Sequence, residues 1–201
     1  MSQIPQLMSG NSLEHGIALQ VDHGGPSGSK MYVGGQANAD VAAGSTTATS
    51  NAENKTAQYT IPANTLVAGS TIRVRWVVLS STIDASGTDT LVCRLRFGSD
   101  GSTMASDTEC AVNTAVDQSV NDFCCGDMII QIRSTTKAVA FGTISDSDAL
   151  GSKLVSAQFE PEFTFNAAVD NYVTITTQFS TSDANLAATQ AFVVDIVNPS
   201  T

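Results

Sequence analysis

From Thr71 to Leu79 the chain alternates apolar and polar residues at a period of two: Ile72, Val74 and Trp76 fall on one side, Arg73 and Arg75 on the other. Only an extended strand with one buried and one wet face satisfies that pattern, because side chains alternate across a strand and recur every 3.6 residues on a helix. The segment Thr90–Phe97 repeats the design, with Leu91, Cys93, Leu95 and Phe97 inward and Arg94 and Arg96 outward. Between the two lies Asp84-Ala85-Ser86-Gly87-Thr88-Asp89, a turn by its chemistry. The expectation is an antiparallel hairpin with an exposed basic face and Trp76 in the core.

Further strands are expected at Met128–Arg133, Lys137–Ile144, Gln158–Phe165, Tyr172–Phe179 and Ala191–Val197. Pro161 has no amide to donate, so its strand is expected at a sheet edge or with a bulge there. A short helix is expected over Thr114–Asp122. No stretch sustains helical amphipathicity, and six to eight short strands separated by polar turns imply an all-β fold, an antiparallel β-sandwich of jelly-roll type. Residues 1–55 read as an extended N-terminal arm with at most two short strands, Ile17–Val21 and Lys30–Val33, and 56–201 as the sandwich. The arm is rich in Gly, Ser, Thr, Ala and Asn, with Asp22-His23-Gly24-Gly25-Pro26 disfavouring regular structure.

Only 14% of the 201 residues are charged, against a usual share of roughly 25%. A chain so short of ions suits a protein that buries surface in an assembly, where charges are costly to desolvate. Its net charge of -10 argues against direct nucleic-acid binding, which needs clustered Lys and Arg. No apolar run is long enough for a membrane span, and the first twenty residues lack the charge and apolar core of a cleaved export signal. Cys93, Cys110, Cys124 and Cys125 are expected as reduced thiols, some buried. Adjacent Cys124 and Cys125 point to opposite sides of an extended segment and make poor joint metal ligands.

Catalytic patterns do not emerge. His15 and His23 lie in the arm, and no Gly-x-Ser-x-Gly occurs. Glu160 and Glu162, two apart on one strand, are the one carboxylate pair on a shared face. Asp146-Ser147-Asp148 begins like a calcium loop but lacks its later ligands. Asn54-Lys55-Thr56 matches a glycosylation sequon. The sequence therefore assigns no catalytic residue, cofactor or metal ligand, and the expectation is a protein that is not an enzyme. All five arginines (Arg73, Arg75, Arg94, Arg96 and Arg133) fall in expected strands. They read as cross-strand partners of carboxylates, as a docking surface for an acidic partner, or as a seam between identical subunits.

The stretch Tyr59-Thr60-Ile61-Pro62-Ala63-Asn64-Thr65-Leu66-Val67-Ala68-Gly69-Ser70-Thr71-Ile72-Arg73-Val74-Arg75 resembles a phrase in tailed-bacteriophage virion proteins, where it enters the first long strand of a jelly-roll-like domain. Its physical sense is a turn at Pro62 and Asn64, a core anchor at Leu66 and a bend at Gly69. The resemblance implies a virion structural protein of the capsid decoration (cement) or head-fibre type, most of all a decoration protein, made in the host cytoplasm and carried in the virion. It would stabilise the head as a homotrimer, with the major capsid protein and its own copies as partners. The alternatives are a receptor-binding or tail-fibre module of a phage, and a carbohydrate-binding or carbohydrate-active sandwich.

Overall fold

The computed structural model describes residues 30–32, 52–82, 89–113, 115–117, 122–147, 153–180 and 185–199. Among them are eleven strands: β1 (Lys30–Tyr32), β2 (Asn54–Ile61), β3 (Thr71–Thr82), β4 (Thr90–Gly98), β5 (Thr108–Val112), β6 (Val116–Asp117), β7 (Phe123–Ser134), β8 (Lys137–Ser147), β9 (Lys153–Thr164), β10 (Asn171–Phe179) and β11 (Leu186–Asn198). They make a six-stranded sheet in the order β1-β11-β3-β7-β8-β9 and a five-stranded sheet in the order β2-β10-β4-β5, with β6 beside β4. Every pairing is antiparallel. The chain is an all-β antiparallel sandwich, as its alternation requires.

The pairing is nested. β3 pairs with β11, β4 with β10, and β7 with β8. β5 meets β9 across the open side of the sandwich, where the Val112 amide donates to Gln158 Oε1 at 3.3 Å. A ribbon folded back on itself in this way winds through both sheets, the manner of a jelly roll.

β3 and β4 do not form the expected hairpin. They lie in different sheets, and their apolar sides face each other across the core. Alternation says which side of a strand is buried but not which strand covers it. The basic sides therefore end up on opposite outer faces of the molecule. The expected helix over Thr114–Asp122 is also absent where it is described: Val116 and Asp117 pair with Leu91 and Thr90. Residues 114 and 118–121, like the expected strand Ile17–Val21 and both histidines, lie outside the described residues. The short strand expected at Lys30–Val33 is present as β1, on the edge of the six-stranded sheet.

The turn from β2 into β3 behaves as its residues dictate. Thr65 N–H donates to Pro62 O at 3.2 Å, Asn64 takes a left-handed φ of 62° and Gly69 one of 90°, and Leu66 is buried. A side chain at Gly69 would be strained by its φ alone. Pro161 occupies the edge strand β9 and also a bulge. Ala138 faces Phe163 and Ala140 faces Glu160, so two residues of β9 stand opposite Val139. Phe163 and Phe165 beyond the bulge pack on Phe97 of the other sheet, with ring centroids 6.1 and 5.5 Å away.

Candidate functional site: the outer face of the six-stranded sheet

The registers lay this face out in rows. One row runs Val193 (β11), Arg75 (β3), Asp127 (β7), Thr143 (β8), Ala157 (β9). The next runs Asp195, Arg73, Ile129, Phe141, Phe159. Arg75 and Arg73 are therefore flanked by carboxylates from both neighbouring strands. Arg73 grips Asp127 with two nitrogens, Nε to Oδ1 at 2.9 Å, and Arg75 Nη2 reaches Asp195 Oδ2 at 3.1 Å. These are diagonal pairs, two residues along the neighbouring strand from the residue directly opposite. The Arg73 guanidinium holds the Asp127 carboxyl below the usual carboxylate range, and Asp127 in turn raises Arg73. Exposed ion pairs of this kind contribute little to stability. Their consequence is that four charges are satisfied within the face.

Beside this quartet the face turns apolar. Phe159 is 70% exposed and Phe141, directly opposite it, 41%. Phe159 points outward because the extra residue at Pro161 inverts the phase of β9. Phe163 and Phe165 enter the core, and Phe159, on the far side of the bulge, faces solvent. The sequence signal for this exposed ring is Pro161 itself. A shallow groove next to the quartet is lined by Val77, Cys125, Ser145, Ala191 and Val193. Cys125 points into it while Cys124 points into the core, as adjacent residues of a strand must.

The remaining arginines lie elsewhere. Arg133 is exposed at the turn end of β7. Arg94 and Arg96 lie on the outer face of the five-stranded sheet, each side chain only 17% exposed. Arg96 holds Glu53 through Nε at 2.6 Å and Nη2 at 2.8 Å, and Arg94 holds Glu109 at 2.9 Å. Glu53 also accepts from Thr176 on the central strand β10. The five arginines thus do not share one surface, and Arg94 and Arg96 serve to cover their own sheet.

Burial alone would raise the Glu53 carboxyl, but hydrogen bonds from Arg96 and Thr176 outweigh it and hold the group below its ordinary 4.5. A depressed folded-state value means that Glu53 stabilises the fold above its ordinary value, and that this contribution is lost as pH falls through the folded value. Glu53→Gln is expected to cost on the order of 1 kcal/mol at neutral pH, the scale of a lost charged hydrogen bond. It is also expected to flatten the acid limb of stability below about pH 4.5. Urea midpoints measured from pH 3 to 7 check both, and an unchanged acid limb would contradict the assignment.

The carboxylates singled out in the sequence do not assemble. The bulge at Pro161 sends Glu160 and Glu162 to different sides of β9. Glu160 stands opposite the buried Ala140 and near Cys110, whose thiol is raised by burial first and by Glu160 after it, whereas Glu162 faces out to Lys137 at 3.4 Å. Asp146 does not begin a loop. It is the last residue but one of β8, in the interior, bonded to the Asn113 amide. Asp148 lies outside the described residues. Among the described residues no three His, Cys, Asp or Glu side chains converge as metal ligands, and no helix is long and apolar enough to cross a membrane.

No protein-family model matches the chain, and no curated protein matches it either.

Proposed function

We propose that this chain is a structural protein of a bacteriophage particle, a capsid decoration or cement protein, and that it self-associates through the outer face of its six-stranded sheet, as a homotrimer. The observation that carries the reading is the pairing of an exposed aromatic patch with a charge quartet that needs no outside partner. Phe159 and Phe141 offer apolar area to a neighbour. Arg73, Arg75, Asp127 and Asp195 can be covered without stranding a charge, because each already has an opposite partner. Because the face carries both signs, different parts of it on neighbouring copies can meet in the head-to-tail way that a closed ring of three requires. The β2–β3 turn supports the phage assignment through its resemblance to the virion phrase, and the major capsid protein is the partner that a decoration protein requires.

Quantitative mass spectrometry of purified virions from a phage encoding this chain is the test of the particle assignment. A decoration protein is expected in many copies per particle, a receptor-binding or fibre module in few. Absence from the particle would overturn the reading. The carbohydrate-active alternative loses its carboxylate pair, since Glu160 and Glu162 face different sides of β9.

A further inference from the structure

Cys93 on β4 and Cys124 on β7 belong to different sheets, and both side chains are wholly buried. They approach each other across the core, and Cys93 is the neighbour that does most to raise the Cys124 thiol. One side chain, Asn113, ties the Cys93 backbone to a residue beside Cys124. Its Oδ1 accepts from the Cys93 amide at 2.6 Å, and its Nδ2 donates to Asp146, the cross-strand neighbour of Cys124. Two thiols that approach each other from facing sheets have the arrangement that a sandwich uses for an inter-sheet disulfide. None of the four cysteines forms a disulfide in this structure.

We infer that Cys93 and Cys124 are a site of oxidative modification, closing to an intramolecular disulfide that staples the two sheets when the chain folds in the presence of a small-molecule disulfide such as oxidised glutathione. The thiolate of one cysteine attacks the oxidant's S–S bond, forming a mixed disulfide and releasing one glutathione thiolate. The second cysteine, deprotonated, attacks the protein sulfur of that mixed disulfide and releases the second glutathione. The protein pair loses two electrons and two protons, and the oxidant gains them as two thiols. The neighbouring Cys93 sulfur and burial push the Cys124 thiol up, so reaction belongs to folding or to opening of the sandwich rather than to the closed native state. The bond joins positions 31 residues apart (124 minus 93), and a loop of that size constrains the unfolded chain.

The experiment refolds the full-length Cys110→Ala/Cys125→Ala variant, and the wild type beside it, in a glutathione redox buffer and in excess reduced thiol. Alkylation of free thiols and peptide mapping follow. The expected result is a Cys93–Cys124 linked peptide in both proteins from the redox buffer, with a higher urea midpoint than the reduced form. Complete alkylation of Cys93 and Cys124 after oxidative refolding would overturn the inference, as would a wild type whose linkage runs instead through Cys110 or Cys125. A bond that forms but leaves the midpoint unchanged or lower would overturn the stapling role.

Discussion

Replacing Trp76 with alanine is expected to destabilise the chain by about 3–5 kcal/mol, the scale for truncating a large buried aromatic side chain. Trp76 is 2% exposed in the centre of β3, between Phe192 on β11 and Gly126 on β7. Its removal opens a cavity between strands that pair on both sides and have little freedom to collapse inward. Trp76→Phe should cost much less. Phenylalanine keeps a ring in place and discards an indole N–H that is buried without a partner, and such an orphan donor is a cost to the native state. Urea denaturation followed by circular dichroism measures both variants. The native protein's tryptophan emission should also be blue-shifted; a red-shifted, water-quenched emission would place the residue outside the core and contradict the face assignment.

Gly126→Ala is expected to cost about 2–3 kcal/mol, toward the upper end for forcing atoms into a packed core. A Cβ there would sit 2.6 Å from Trp76 Cζ3 and closer still to Cη2 and Cζ2. The indole occupies the volume that a side chain on the facing strand would need, and the six-membered ring cannot move without displacing its own neighbours. The two positions should therefore be coupled. In the Trp76→Ala background, Gly126→Ala fills part of the cavity and should be close to neutral or stabilising, a coupling of roughly 1–3 kcal/mol. Additive losses in the double variant would show that the ring and the glycine do not share the space.

The strand faces were legible in the sequence because burial acts on alternate residues. Ile72, Val74, Trp76 and Val78 are all buried while Arg73 and Arg75 are not, and the same holds for β4. Local backbone chemistry was equally legible: Asn64 and Gly69 take the positive φ values that the turn into β3 demands, and Pro161 marks an edge and a bulge. What periodicity does not encode is partnership. β3 and β4, each with an apolar and a basic side, suit a hairpin as well as two facing sheets. The choice is made by β10 and β11, far along the chain. A similar indeterminacy hid the candidate surface. Phe159 faces outward only because the bulge shifts the phase of β9, so a strict period-two reading of that strand groups it with the core rings Phe163 and Phe165. Asp146, acidic and two residues from a second acid in sequence, reads as loop until Asn113 is seen to satisfy it in the interior.

The two outer faces of the sandwich differ in what they leave exposed. On the five-stranded sheet, Glu53, Arg94, Arg96 and Glu109 close over Thr174 and Thr176 and leave that face already covered. On the six-stranded sheet the charges are equally satisfied, but two phenylalanine rings are left in solvent, and it is this apolar area that self-association would remove from water. The direct measurement is the solution mass of the purified full-length chain across a concentration series, by light scattering behind size exclusion, for the wild type and for Phe159→Asp. An exposed residue can be changed to aspartate with little effect on folding, so circular dichroism should be the same for both. The wild type is expected to run as a trimer of 20.8 kDa chains, and Phe159→Asp to fall to the monomer mass. A wild type that stays a monomer at every concentration, or a Phe159→Asp variant that remains trimeric, would contradict self-association through this face.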